Sequence, residues 1–226
     1  MKMSDFAENR PLGVFGGTFD PVHFGHLRLA EEAADGLGLA CVRWIPAGQP
    51  LLRDSPRCSA AQRLEMVRLA IADNPRFELD AAEVDAEQPS YTVPTLERLR
   101  QVEICGERRP LVLLVGADVF SGLTGWYRWQ SVLELAHIGV AHRPGFPVDP
   151  DSLPADLAAI YRERFCEKSD ALRDSPAGRI VNFPMTQLDI SATRIRNLLS
   201  NGCGARYLMP DLLLDYIREH HLYMEK

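Results

Sequence analysis

The 226-residue chain is short of positive charge, of paired cysteines and of long apolar runs. Lys and Arg number 25 against 31 Asp and Glu, a formal net charge of −6. The basic excess that draws duplex nucleic acid is therefore missing, although a local pocket for a phosphate is not excluded. The five cysteines, Cys41, Cys58, Cys105, Cys166 and Cys203, are odd in number and widely spaced, with no C-x-x-C. That speaks against a disulfide framework or a zinc knuckle and predicts a cytoplasmic chain. The most apolar run, Leu111 to Val115, is far too short to span a bilayer. Residues Met1 to Arg10 are polar and mixed in charge, without the apolar stretch of a secretory signal, and are expected to be flexible. No nucleic-acid or membrane partner is expected; assembly with further copies of the same chain is left open. With 46% hydrophobic and 25% charged residues the composition is that of an ordinary globular protein. A chain of this length buries roughly 70% of its unfolded surface and needs no disulfide or metal staple.

What is present is an alternation of short apolar runs with amphipathic stretches. Strands are predicted at Leu12 to Phe15, Cys41 to Ile45, Phe77 to Leu79, Leu111 to Val115, His137 to Ala141 and Ile180 to Phe183. Helices are predicted from about Gly25 to Leu37, stopped by Gly38, and from Ser59, where Gln62 completes a capping box. The apolar face of this second helix is read as Leu64, Val67, Ala70 and Ile71. Further helices are predicted over Thr92 to Val102, Leu153 to Lys168, Ser191 to Leu199 with Gly202 as its cap, and Pro210 to His220 with Pro210 at N1. Residues 143–152 read as a loop. Repeated strand–helix units imply a mostly parallel sheet covered on both faces. Ligands of such sheets gather at the carboxyl ends of strands.

After the first strand comes Gly16-Gly17-Thr18-Phe19-Asp20-Pro21-Val22-His23-Phe24-Gly25-His26. Two glycines let backbone N–H groups approach an anion, and the following helix turns its positive end toward the same place. His23 and His26, three apart, lie on one helix face. Two imidazoles over backbone donors suit a phosphoryl group in transfer. On its own the segment is also compatible with a mere tight turn, a surface histidine pair or part of a zinc site. It is neither the G-x-G-x-x-G fingerprint nor a P-loop.

The combined pattern G-G-T-F-D-P-x-H-x-G-H resembles the signature of the H-x-G-H nucleotidylyltransferase superfamily. Within it the chain is similar, from Leu12 to Tyr223, to the bacterial nicotinate-nucleotide adenylyltransferases. Ser90-Tyr91-Thr92 with Thr95-Leu96 resembles that family's S-Y-T…T-L, Gly116-Ala117-Asp118 its G-x-D, and Arg143-Pro144-Gly145 its R-P-G. Trp126-Tyr127-Arg128-Trp129 resembles T-W-Y-x-W with Gly125 in place of Thr, and Ile190 to Arg196 resembles I-S-[SA]-T-x-[IL]-R. One departure stands out: where the family shows P-P-H-[KR], this chain has Pro50-Leu51-Leu52-Arg53, so the base survives and the His does not.

The resemblance implies a Rossmann-like α/β fold in a single domain spanning 1–226, with a small helical portion from about 190. It implies transfer of the adenylyl group of ATP, accompanied by Mg²⁺, to nicotinate mononucleotide, giving deamido-NAD and pyrophosphate. Adenylylation of nicotinamide mononucleotide, or the reaction of a sister enzyme such as phosphopantetheine adenylyltransferase, is the alternative. By the same resemblance His23 and His26 are catalytic. Gly16, Gly17, Thr18, Phe19, His26, Gly116, Asp118, Arg143, Ser191, Thr193 and Arg196 serve ATP. Asp20, Arg53, Tyr91, Thr92, Trp126 and Tyr127 serve the nicotinate nucleotide.

Overall fold

Six strands form one sheet in the order β3-β2-β1-β4-β5-β6: β1 Leu12–Gly17, β2 Cys41–Pro46, β3 Phe77–Leu79, β4 Leu111–Gly116, β5 His137–His142 and β6 Ile180–Pro184. The computed structural model describes residues 10–50, 55–101 and 108–224. The expectations for Leu52, Arg53, residues 1–9 and Val102 lie outside them. All six predicted strands are present. β1 pairs with β4 in parallel from Leu12↔Leu111 to Val14↔Leu113, and β4–β5 and β5–β6 are parallel too. The order reverses between β1 and β4, the Rossmann-like arrangement in which ligands sit at strand ends near the reversal.

Helices α1 (Phe24–Gly36), α2 (Ala60–Ile71), α3 (Ala82–Asp85) and α4 (Thr92–Gln101) occupy the first half. Helices α5 (Ala117–Ser121), α6 (Val132–Leu135), α7 (Ala155–Arg164), α8 (Ala192–Ser200) and α9 (Asp211–Glu219) occupy the second. The caps follow from local chemistry. Ser59 accepts from the N–H of Gln62, whose side chain accepts from the N–H of Ser59, closing the predicted box on α2. After α1 the N–H of Leu39 reaches the carbonyl of Ala34 and that of Gly38, at φ 62°, reaches Asp35. After α8 the N–H of Cys203 reaches Leu198 and that of Gly202, at φ 70°, reaches Leu199. Both are Schellman endings, which place a left-handed residue where glycine has no Cβ to clash.

Three helix expectations need correction. The buried face of α2 is Arg63, Met66, Val67 and Ile71; Val67 and Ile71 are as read from the sequence, whereas Leu64 and Ala70 are only half-buried and Arg63 and Met66 take the buried places. Pro210 is the N-cap of α9, and the helix starts at Asp211. The helix expected over 153–168 stops at Arg164, because Phe165 bridges to Ile180 and the N–H of Cys166 donates to the carbonyl of Ile180. Pairing to the sheet edge wins there over helix continuation.

The chain divides into two interleaved compact units. The first comprises Met1–Phe15, Ala30–Arg43 and Tyr91–Thr186. Its core holds Leu12, Val14, Ala30, Ala33, Leu114, Ile138, Val140 and Phe183, each 2% exposed or less. Its loops are tied by Arg100, whose guanidinium donates to the carbonyls of Leu135, Arg109 and Pro176 at 2.5–2.8 Å. His137, fully buried, accepts from the N–H of Arg179 at Nδ1 and faces the carbonyl of Ser175 with Nε2 at 2.9 Å. The second unit comprises Gly16–Leu29, Trp44–Ser90 and Gln187–Lys226. In it α9 packs on α2, and Trp44, Met66, Val67, Leu213 and Ile217 form the core.

Candidate active site

The predicted site residues fall into two groups, one in each unit. The second unit holds the motif after β1. Gly16 is exposed, Gly17 half-buried, and the chain then folds Phe19 inward at φ 49° until it is 3% exposed. A Cβ on Gly17 would come within 2.8 Å of that ring, so the second glycine is there for space. Phe19 packs edge-on against the His26 ring and, tilted by 44°, against Trp44, at centroid distances of 5.2 and 5.3 Å.

His23 and His26 stack with ring centroids 3.8 Å apart, which their three-residue spacing at the start of α1 allows. The backbone N–H of His23 donates to Nδ1 of His26 at 3.2 Å. A ring that accepts at Nδ1 carries its proton at Nε2, so neutral His26 presents an Nε2–H donor. His23 is 6% exposed, and burial lowers its pKa from 6.5 to about 4. Its Nδ1 is buried without a hydrogen-bond partner among the described residues. The glycine of H-x-G-H also has a spatial reason. A Cβ on Gly25 would stand 3.0 Å from Nδ1 and Cε1 of His23, tighter than a side chain normally sits.

The start of α8 belongs to the same unit. Ser191 caps it, accepting from the N–H of Arg194 at 3.2 Å. Thr193 is exposed and accepts from Arg196, whose other nitrogen donates to the carbonyl of Asp20 at 2.7 Å. Arg196, and Thr193 through it, are thus joined to the motif loop. The carboxylate of Asp20, expected to touch the mononucleotide, accepts from three donors of the protein itself, the N–H groups of Arg57 and Cys58 and the phenol of Tyr223. The main chain of Thr18 is held by Arg63, which donates to its carbonyl at 2.8 Å and to those of Gly48 and Cys58 at 3.0 and 3.4 Å.

Sequence reasoning missed Arg63 and Tyr223. Arg63 is 1% exposed, and burial lowers its pKa while the Asp20 carboxylate opposes that shift. The available signal was its spacing from Met66, Val67 and Ile71, which puts a cation on an apolar stripe.

The first unit holds the remaining residues. Thr92 opens α4 directly after Tyr91, whose ring lies 4.8 Å from that of Tyr127. This contact brings together the S-Y-T and W-Y-x-W segments, 36 residues apart in sequence numbering at the two tyrosines. Trp126 is half-buried and follows a short 3₁₀ turn, Leu123–Gly125, rather than an open loop. Arg128, at φ 52°, pairs with Glu97 at 2.9 Å. Gly116 is the N-cap of α5, and Asp118 is exposed in the first turn. Arg143, also exposed, begins a turn in which its carbonyl accepts from the N–H of Phe146, with Pro144 at the first corner and Gly145 at φ 80° at the second.

Comparison with known proteins points the same way as the motifs. Residues 14–198 match the cytidylyltransferase-like family model. A protein of Dechloromonas aromatica described as a "probable nicotinate-nucleotide adenylyltransferase" is 61% identical over 215 residues, covering 95% of this chain and 98% of that protein. One of the same description from Hydrogenovibrio crunogenus is 47% identical, with the same coverage. The fold also matches the nicotinic acid mononucleotide adenylyltransferase of Plasmodium falciparum solved with NaAD, at TM-score 0.69 and 14% identity, over 95% of this chain and 97% of that one. The chain belongs to the nicotinate-nucleotide adenylyltransferase family of cytidylyltransferase-like proteins.

Proposed function

We propose that this protein transfers the adenylyl group of ATP to nicotinate mononucleotide, forming deamido-NAD and releasing pyrophosphate. The observation that carries the reading is the stacked His23–His26 pair at the start of α1, beyond the Gly16-Gly17 turn. A phosphate monoester is already largely dianionic at pH 7, its second pKa being about 6. It can attack the α-phosphorus without a strong general base. A bond forms from its oxygen to that phosphorus, the bond to the bridging oxygen breaks, and pyrophosphate leaves in line. What the protein must supply is alignment and stabilisation of charge on the transferring group. His26 donates from Nε2 and the buried neutral His23 donates from its ring. The N-terminal end of α1 adds a partial positive charge, and the hydroxyls of Ser191 and Thr193 with Arg196 assist.

Mg²⁺ enters with the triphosphate, as part of the substrate. Among the described residues no cluster of three His, Cys, Asp or Glu is placed to hold a metal. The Mg²⁺ neutralises phosphate charge. The first unit serves the nicotinate nucleotide in this reading: Thr92 and the backbone about Tyr127 meet the carboxylate, and the Trp126 face meets the pyridinium. Gly116, Asp118 and Arg143 of the same unit are assigned to ATP by the family resemblance. We read the whole chain as one nucleotidylyltransferase domain, since the family match runs through segments of both units. We place it in the cytoplasm on its free thiols at Cys58, Cys166 and Cys203. Among the described residues no helix is long and apolar enough to cross a membrane.

A panel of ATP with nicotinate mononucleotide, nicotinamide mononucleotide or phosphopantetheine, read by pyrophosphate release and product mass, tests the reaction. Deamido-NAD is the expected product. A carboxylate accepts only, while an amide brings an NH₂ donor that must also be satisfied. An unpaired buried polar group costs about 1–3 kcal/mol, so the acid should lead the amide by roughly ten- to a hundredfold in kcat/KM. Equal efficiency for acid and amide, or product from phosphopantetheine alone, overturns the assignment.

A further inference from the structure

The acceptors of the motif loop are turned onto the protein. Asp20 Oδ2 accepts from the N–H of Arg57 at 2.8 Å, and Oδ1 accepts from the N–H of Cys58 at 3.3 Å and the phenol of Tyr223 at 2.6 Å. The Asp20 carbonyl is taken by Arg196 and the Thr18 carbonyl by Arg63. Asp20, Cys58, Arg63 and Tyr223 are each 8% exposed or less. A loop that is to receive a polyphosphate cannot leave oxygen lone pairs aimed at it. In this arrangement the carboxylate and both carbonyls are occupied and partly neutralised by two guanidinium groups.

We propose that Asp20 and Tyr223 are positioning residues, a clamp from the turn after α9 that fixes the Gly16–Asp20 loop in the shape that accepts the ATP phosphates. The proposal rests on the adenylyl-transfer reading for its substrate, and on geometry for the clamp. The phenol is a donor throughout the working pH range, because burial and the neighbouring carboxylate hold its pKa well above the ordinary value. Tyr223 sits at φ 64°, a conformation a bulky residue keeps only where its surroundings fix it. A second tie joins the same parts: the N–H of Phe24, first residue of α1, donates to the carbonyl of Leu208 at 3.0 Å. The C-terminal segment therefore grips the motif on both sides of His23.

The test is Tyr223→Phe, which removes one oxygen and no ring volume, with Asp20→Asn as a second variant. In the clamp, Tyr223→Phe raises KM for Mg·ATP about tenfold and leaves that for nicotinate mononucleotide within about twofold. A merely structural loss would reduce the active fraction, lowering kcat and moving neither KM. Asp20→Asn should act in the same direction, and the double variant should be no worse than the worse single one, since both remove one contact. If Asp20 binds the mononucleotide instead, Asp20→Asn raises that KM and Tyr223→Phe does nothing, which overturns the clamp. Equilibrium binding of a non-hydrolysable ATP analogue separates this from the reaction itself. A parent that binds the analogue but makes no deamido-NAD, with about tenfold weaker binding by Tyr223→Phe, sinks the co-substrate and keeps the clamp. An active parent with unchanged analogue affinity in Tyr223→Phe sinks the clamp alone.

Discussion

The two groups of site residues are built in opposite ways. In the motif after β1, Phe19, Asp20 and His23 are 3–7% exposed and every turn of the loop is tied to a distant part of the same unit. In the aromatic segment Tyr127 is 52% exposed, and the chain runs through short turns held by an exposed ion pair and one ring contact. An exposed ion pair is worth little. The difference suits their proposed tasks. Stabilising a transferring phosphoryl group demands donors fixed in place, whereas holding a planar ring tolerates adjustment.

The contrast can be broken at its rigid end first. His26→Ala removes a donor to developing charge and should cost about 10²–10³ in kcat. Because His26 is only half-buried, the melting temperature should barely move. Near-normal turnover in a folded variant would remove the histidine from the chemistry. Gly25→Ala is the next test. It adds a methyl group 3.0 Å from the His23 ring without harming helix formation. Turnover should fall about tenfold or more while thermal stability holds, as a small misplacement near reacting atoms allows. A loss of stability with turnover per folded molecule intact would show that the glycine serves packing only.

At the adjustable end, Trp126→Ala should raise KM for nicotinate mononucleotide by roughly 3- to 30-fold, matching a cation–π contact of about 0.5–2 kcal/mol. KM for ATP should stay near its parent value; an equal loss for both, with earlier melting, would make Trp126 a core residue. A separate effect, on stability and not on turnover, is one of acid. His23 refuses a proton until about pH 4, while the unfolded chain takes one up near 6.5. This contribution is therefore complete above about pH 6.5 and is lost as the pH falls toward 4, by at most about 3 kcal/mol. Burial lowers the pKa of His137 as well, so it acts in the same direction. Denaturant titrations across that window should show the decline, and His23→Gln should flatten part of it.

Much of this was legible without coordinates because the governing chemistry is local. The Ser59–Gln62 box, the Ser191 cap and the stopping glycines Gly38 and Gly202 each depend on residues within five positions of one another. The strands declared themselves as short apolar runs. What escaped depends on partners far along the chain. Nothing near Arg164 announces that Phe165 and Cys166 will pair with Ile180. The short helices Ala82–Asp85, Ala117–Ser121 and Val132–Leu135 carry too few turns for periodicity to show. The hydrogen bonds that Asp20 makes within the protein were likewise not legible, because its partners are at 57, 58 and 223.

Arg63 and Arg100 share one trait with an evolutionary consequence. Each guanidinium binds three main-chain carbonyls from separate segments. A carbonyl is present whatever side chain its residue carries. The positions that receive these arginines are thus free to drift, as far as these contacts go, while the arginines are not. Lysine cannot reproduce the planar fork that spans three acceptors. A saturation mutagenesis scan should therefore show intolerance at 63 and 100, even to lysine, beside broad tolerance at acceptor sites such as Leu135 and Arg109. Covariation between donor and acceptor positions should be absent, leaving two of the chain's strongest ties invisible to methods that look for paired change.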